Sequence, residues 1–135
     1  MSSSQPSLFA RTLRYMGMTT LDQQTMRATY ANEDSKFFPC DGNEIHYRVE
    51  GRTDSDAPVL VMLHGIMASL HTWDGWVKEL KEDYKIVRID VPAFGLTGAI
   101  ANGRYEVERI GDKINALLEH LKLEHFSLVG SSLGG

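Results

Sequence analysis

The stretch LVGSSLGG, residues 128–135, contains glycine, serine and glycine at Gly130, Ser132 and Gly134. This G-x-S-x-G spacing is typical of a sharp strand-to-helix turn that holds its central serine in a strained conformation. Such a turn presses together the residues two before and two after the serine, so only small side chains fit there. Ser131 lacks glycines at those distances. The spacing therefore predicts Ser132 as a nucleophile.

The segments before this turn alternate between strand and helix patterns. Unbroken apolar runs predict strands buried on both faces, and apolar residues every three to four positions predict helices. In chain order the pattern gives a buried strand at 59–63, a helix at 71–80, a buried strand at 84–92 that Pro92 ends, an amphipathic helix at 105–121 and a third buried strand at 125–132. In the second helix, Val107 is assigned to the apolar side and Lys113 to the solvated side. This order predicts an α/β fold, with a mostly parallel sheet and helices on both faces.

The first part of the chain is predicted to divide at residue 36. Residues 1–35 form an N-terminal extension with a short helix, for which Thr20 and Gln23 have capping-box spacing. Residues 1–19 carry two arginines and no acid, which weakly resembles a targeting presequence or a membrane-surface helix; a plain extension is the favoured interpretation. Residues 36–135 begin the core with two strands, KFFPC and EIHYRVEG, joined as a hairpin. His46 in the second strand is interpreted as packed or solvated, not catalytic.

Composition excludes several classes of function. A net charge of −4 and scattered basic residues argue against nucleic-acid binding. The single cysteine, Cys40, cannot form an internal disulfide, and the reducing cytoplasm is the simplest compartment. His71, His120 and His125 lack the spacing of metal ligands, so no metal site is predicted.

Three segments in order resemble the α/β-hydrolases that use a serine nucleophile. VMLHGIMASLHTWDGW (61–76) resembles their oxyanion loop, RIDVPAFGLTG (88–98) their D-x-P-G-x-G loop, and FSLVGSSLGG (126–135) their nucleophile turn. The resemblance runs from about residue 37 to 135, nearly the whole chain after the extension.

The resemblance implies roles for particular residues. The oxyanion hole would be the backbone N–H groups of Ile66 and Leu133, with His64 and Gly65 supporting the loop. Asp90 would be structural. In this family the triad acid and histidine follow the nucleophile, so both are expected beyond Gly135 and the chain would be the N-terminal half of a hydrolase, ending at the nucleophile turn. The enzyme would hydrolyse a small-molecule ester, or a carbon–carbon bond next to a ketone, without a cofactor.

Two departures from the family pattern qualify these roles. Ala93 stands where the D-x-P-G-x-G loop has glycine, which is costly if its φ is positive. Ser131 stands where many carbon–carbon bond hydrolases of ring-fission products carry asparagine, which argues against that substrate class. A non-catalytic ligand receptor or relic on the same fold is the main alternative. A Rossmann nucleotide site is a weaker alternative, because GSSLGG does not fit G-x-G-x-x-G.

Overall fold

The computed structural model describes residues 22–135, which form a five-stranded sheet with helices packed on it. The strands are β1 (Lys36–Cys40), β2 (Asn43–Gly51), β3 (Val59–Leu63), β4 (Lys85–Ile89) and β5 (Ser127–Gly130). The helices are α1 (Gln23–Tyr30), α2 (Asp74–Leu80) and α3 (Val107–His120), with 3₁₀ turns at Leu70–Trp73 and Ser132–Gly134. The elements alternate as the sequence predicts.

The strands lie side by side in the order β1-β2-β4-β3-β5. β3 is parallel to both β4 and β5, whereas β2 is antiparallel to β1 and to β4. The α/β class is confirmed, but the sheet is mixed, because the β1–β2 hairpin adds its two pairings in the antiparallel sense. β4 ends at Ile89, three residues before the proline expected to end it.

Two apolar clusters cover the opposite faces of the sheet, as predicted. Side chains alternate along β3, so Val61 and Leu63 face one cluster while Met62 faces the other. α3 supplies Leu117 to the first cluster and α2 supplies Val77 to the second. Helices on both faces leave the strand ends as the place where loops gather.

The hairpin turn and α3 are joined by a buried lysine. Asp41 and Gly42 both have positive φ, 48° and 79°, as a two-residue hairpin turn of type I′ requires. Lys113 Nζ donates to the carbonyls of Cys40 and Asp41, each at 3.2 Å. The assignment of Lys113 to the solvated side is therefore wrong, because its long side chain reaches back under the hairpin. Val107 is 65% exposed, so its assignment to the apolar side is also wrong.

α1 begins at Gln23, with Asp22 as its N-cap. The Asp22 carboxylate accepts the backbone N–H of Thr25 at 2.9 Å. The predicted capping box starting at Thr20 is wrong, since the cap lies two residues later; Thr20 itself lies outside the described residues, as does the presequence-like stretch 1–19.

α1 contacts both the hairpin and the loop after β4. Arg27 pairs with Glu44 at 2.5 Å and stacks over the Phe37 ring at 4.1 Å. At the other end, the Gln23 amide donates to the carbonyl of Leu96. The division of the chain at residue 36 stays a prediction.

β5 is an edge strand and is largely exposed. It pairs with β3 on one side only, and Leu128 is 57% exposed. The prediction of a third buried strand is therefore right about the strand and wrong about its burial, because none of the described helices packs on β5 closely enough to cover it. Among residues 22–135, every helix is too short or too polar to cross a lipid bilayer.

Candidate active site

The turn after β5 bends at Ser132. This residue has a φ of 54°, in the left-handed region that non-glycine residues rarely occupy. Ser131 is extended, with φ −130° and ψ 126°, and its N–H donates to the carbonyl of Leu63 at 3.2 Å. Ser131 therefore continues the ladder with β3, and the chain turns one residue later.

Two glycines make this turn possible. A Cβ atom at Gly130 would overlap the carbonyl of Gly134. A Cβ atom at Gly134 would in turn overlap the carbonyl of Leu63 at the end of β3. Both contacts are with backbone and cannot be relieved by rotating a side chain. The steric reason for the G-x-S-x-G spacing is thus present in the folded chain.

The loop after β3 lies against Ser132. A Cβ atom built on Gly65 would lie 3.0 Å from Ser132 Cβ and 3.7 Å from Ser132 Oγ. β3 and β5 are parallel neighbours, so their carboxyl ends bring the His64-Gly65 pair and the serine turn to the same edge of the sheet. A side chain at residue 65 would fill the space beside the hydroxyl.

The two expected oxyanion donors lie in the loops that meet here. Within residues 22–135, the backbone N–H groups of Ile66 and Leu133 donate to no carbonyl in a turn or loop. The Ile66 side chain is 64% exposed, and Met67 after it has a φ of 55°. The chain turns directly after Gly65, so the Ile66 N–H belongs to the tight part of the loop.

His64 is fully buried, with both ring nitrogens engaged. Its Nε2 accepts the backbone N–H of Val91 at 3.0 Å, so the ring proton is on Nδ1 and is donated to the carbonyl of Gly65 at 2.7 Å. The ring ties the loop after β3 to the loop after β4. In this state His64 has no free lone pair for the Ser132 proton.

Asp90 directly follows β4 and anchors three neighbouring segments. Its carboxylate accepts hydrogen bonds from the backbone N–H groups of Leu70 at 2.7 Å and Leu96 at 2.8 Å. It also lies 2.7 Å from His46 Nδ1. Burial tends to raise the pKa of Asp90, but the hydrogen bonds from His46 and the two backbone groups outweigh it and lower the pKa. The buried carboxylate is ionised at neutral pH and braces the loops around the serine turn.

The loop after Asp90 contains a strained alanine. Ala93 has a φ of 94°, the sign that makes its replacement of the usual glycine costly. Gly95 and Gly98 in the same loop also have positive φ, and a Cβ on Gly95 would overlap the Asp90 carboxylate. The loop therefore needs left-handed backbone at three places, and one of them lacks glycine.

A buried arginine was missed by the sequence reasoning. The Arg88 guanidinium is held in a bidentate pair by Glu50, at 2.6 and 2.8 Å, and also donates to Asp74 at 2.5 Å and to the carbonyl of Leu70 at 3.1 Å. Burial tends to lower the pKa of Arg88, but these carboxylates outweigh it and raise the pKa. Arg88 and Asp90 together hold both backbone groups of Leu70.

The signal for this network is the alternation of residue types in two strands. His46, Arg48 and Glu50 alternate with apolar residues along β2, and Arg88 and Asp90 do so at the end of β4. Period-two polar residues usually indicate a solvated face. Here that face is buried beneath the 3₁₀ turn and α2, so the alternation marks a polar network instead. Residues 22–135 contain no group of three His, Cys, Asp or Glu side chains placed to hold a metal ion.

Comparison with known proteins identifies relatives of this arrangement. The chain is 30% identical over 91 residues to a putative carbamate hydrolase of Agrobacterium fabrum, covering 67% of this chain and 35% of that protein. It is 28% identical over 91 residues to a pimeloyl-[acyl-carrier protein] methyl ester esterase of Pseudoalteromonas atlantica, covering 67% and 34%. The enol-lactonase from Burkholderia xenovorans superposes with a TM-score of 0.68 at 26% identity, covering 73% of this chain and 38% of that one.

These matches agree on the fold and cover only part of each relative. The chain spans about a third of the length of the curated relatives that it matches. The family model described as alpha/beta hydrolase fold matches residues 58–135, which include β3, β4, β5 and the serine turn. The chain belongs to the α/β hydrolase fold family.

Proposed function

We propose that the protein is a serine hydrolase acting on a small-molecule carboxylic ester or a related acyl compound, with Ser132 as nucleophile. The relatives named above are a carbamate hydrolase, a methyl ester esterase and an enol-lactonase, all of which are named for cleaving a bond to an acyl carbon. The partly buried, unpaired Cys40 is compatible with the cytoplasmic location proposed from the sequence.

The observation that carries the proposal is the left-handed conformation of Ser132. A φ of 54° at a non-glycine residue is strained, and such strain is typical of functional sites. The Ser132 hydroxyl lies at the end of β5 beside Gly65, where a Cβ atom built on Gly65 would be 3.7 Å from Oγ. Ser131 has ordinary extended backbone, which supports the choice between the two serines.

The proposed reaction begins when Ser132 Oγ attacks the acyl carbon of the substrate. The negative charge that develops on the carbonyl oxygen would be held by the backbone N–H groups of Ile66 and Leu133. The leaving alcohol departs, and water then releases the acyl group from the serine. No cofactor takes part in this sequence of steps.

The base for Ser132 is proposed to come from a part of the protein outside this chain. His64 is the histidine closest to Gly65, and its two ring nitrogens already hold Val91 and Gly65. His64 thus acts as a positioning residue for the oxyanion loop. The triad acid and histidine expected from the family order remain part of the proposal.

The test uses the full-length protein and a fluorophosphonate probe. Wild type and Ser131→Ala should hydrolyse p-nitrophenyl esters and carry the label on the tryptic peptide that begins at Leu123. Ser132→Ala should lose both turnover and the label on that peptide. Turnover that survives in folded Ser132→Ala would refute the assignment. A folded wild type that neither turns over esters nor takes the label there would favour the non-catalytic alternative.

A further inference from the structure

Three polar side chains form a hydrogen-bonded line that does not include Ser132. Ser35 Oγ lies 2.8 Å from His46 Nε2, and His46 Nδ1 lies 2.7 Å from Asp90 Oδ2. The order of the residues, the atoms used and the distances are those of a Ser-His-Asp triad. None of these side chains is the nucleophile or an oxyanion donor of the proposed hydrolase.

The order of strands in the sheet creates this line. β1, β2 and β4 are neighbours, and His46 in β2 pairs directly with Phe37 in β1. Ser35 is two residues before Phe37, so it lies on the same face. On the other side, the Asp90 N–H donates to the His46 carbonyl at 2.9 Å, which places the two residues opposite each other. Ser35 just before β1, His46 in β2 and Asp90 just after β4 therefore lie in a row across three adjacent strands.

The surroundings of His46 favour one direction for these hydrogen bonds. His46 is only 1% exposed, and its ring stacks on Phe37 with centroids 5.0 Å apart. The ionised Asp90 carboxylate can only accept, so His46 Nδ1 donates to it, and in the neutral imidazole Nε2 is then the acceptor. The single hydroxyl proton of Ser35 has two acceptors within reach, His46 Nε2 at 2.8 Å and Asn32 Oδ1 at 3.3 Å, and the shorter distance favours donation to Nε2. Ser35 itself is partly exposed, so the line of side chains ends at the surface.

The site lacks the donors of a complete active site. Ser35 Oγ accepts the Asn32 N–H at 3.2 Å and lies 3.3 Å from Asn32 Oδ1. The N–H groups of Ser35 and Asp34 donate to the carbonyl and side chain of Asn32. The neighbouring backbone donors in this turn are thus occupied. A developing oxyanion at Ser35 would gain little stabilisation, so a covalent adduct is expected to form slowly and persist.

We propose that Ser35 is a second reactive serine, activated by His46 and Asp90, which takes up one acyl or phosphonyl group from an activated electrophile. With a fluorophosphonate, Ser35 Oγ attacks phosphorus, the O–P bond forms and the P–F bond breaks. Fluoride leaves, and the hydroxyl proton passes to His46 Nε2 and then to water. No oxidant, reductant or further reactant is needed.

The test uses the full-length Ser132→Ala protein, so that the proposed nucleophile cannot react. Trypsin releases residues 28–36, ATYANEDSK, in which Ser35 is the sole serine. This peptide should carry one phosphonyl group, and the adduct should persist after the free probe is removed. Peptide 53–78 is the internal control and should stay unlabelled: it holds the exposed Ser55, whose hydroxyl donates to Asp56, and the partly buried Ser69, and neither bonds to a histidine within residues 22–135.

Two further measurements separate activation from ordinary reactivity. His46→Gln in the same background should label Ser35 about 10²-fold more slowly, because its base is lost. In concentrated urea, the rate at which Ser35 is labelled in the Ser132→Ala protein should fall by at least a similar factor. This comparison tests activation by the fold even if His46→Gln prevents folding. Absence of label on peptide 28–36 in folded protein would overturn the proposal, as would an equal rate in urea. Because Ser132 is read on a different peptide, the two proposals fail independently.

Discussion

At the scale of single residues, Ala93 carries backbone strain that glycine would relieve. Its φ of 94° costs about 1–3 kcal/mol for a residue with a Cβ atom, while glycine adds about 0.5–1 kcal/mol of lost chain entropy. Ala93→Gly should therefore raise the free energy of unfolding by about 1 kcal/mol. Urea denaturation of the full-length protein would measure the change.

Ala99 provides a matched control in the same loop. It is exposed and is not among the residues with positive φ, so Ala99→Gly should lower the stability by about 0.4–1 kcal/mol through the unfolded chain alone. If Ala93→Gly were as destabilising as Ala99→Gly, the strain argument would be wrong.

The lowered pKa of Asp90 determines how the free energy of unfolding changes at acidic pH. Its pKa is below the ordinary 3.8 in the folded state, so between the folded and unfolded pKa values the unfolded chain binds more protons. This part of the stability is present above the unfolded pKa and is lost as the pH falls through the folded pKa. In Asp90→Asn the free energy of unfolding should therefore decline less steeply below about pH 5. Identical slopes for wild type and variant in urea titrations at several pH values would contradict this.

At the scale of elements, the loop after β3 is expected to act through its backbone. A side chain at Gly65 would meet Ser132 Cβ at 3.0 Å and the Ser131 carbonyl at 3.1 Å. Gly65→Val should push the Ile66 N–H out of place and lower ester turnover by about 10²-fold or more. Ile66→Val keeps the N–H and should have a much smaller effect on kcat. Equal losses from both substitutions would show that the side chain, not the backbone, matters.

The contact between α3 and the β1–β2 turn rests on Lys113. Lys113→Met keeps the aliphatic chain but removes the donor to the Cys40 and Asp41 carbonyls, which should cost about 1–3 kcal/mol of unfolding free energy. The exposed Lys78 in α2 is the control, since Lys78→Met should change stability by less than about 0.5 kcal/mol. Similar small effects at both lysines would mean that water replaces the lost donor.

At the scale of the whole molecule, residues 1–135 alone should neither turn over esters nor fold stably. β5 leaves an apolar edge with Leu128 exposed, which favours association between chains. Without a base, the rate at Ser132 should fall by about 10⁶-fold. The purified piece is expected to show no turnover of p-nitrophenyl acetate and to bind ANS. Cooperative unfolding together with turnover abolished by Ser132→Ala would overturn this expectation.

The order of elements could be predicted from sequence because it depends on local patterns. Apolar runs and the hairpin signal located the strands, and periodicity located the helix at 105–121, to within a few residues. Burial depends on neighbours that a local pattern does not contain. Leu128 is apolar yet exposed because β5 is an edge strand, and Lys113 is charged yet buried because it packs against the hairpin and donates to two of its carbonyls.

Some features of the candidate site could likewise be predicted from local sequence, and others could not. The turn geometry at Ser132 follows from steric needs that the glycine spacing reports directly, and its closeness to Gly65 follows from the parallel pairing of β3 and β5. The contacts of His46 and Arg88 could not be predicted, because each joins residues from strands far apart in sequence. Alternating polar residues marked one face of β2 and β4, and only the packing of α2 over that face shows that it is buried.

The anchoring of Leu70 bears on how the mouth of this site could be redesigned. The Gly65 carbonyl is held by the His64 ring, and both backbone groups of Leu70 are held by Asp90 and Arg88. Residues 67–69 thus connect two anchored residues, Gly65 and Leu70, at the carboxyl edge of the sheet. Insertions there would lengthen a surface loop without moving either anchored residue, and the entropic cost of closing the loop grows slowly with its length. A library of variants that differ in the length of the loop between Gly65 and Leu70 would vary the shape of the site's opening and leave the sheet and its helices unchanged.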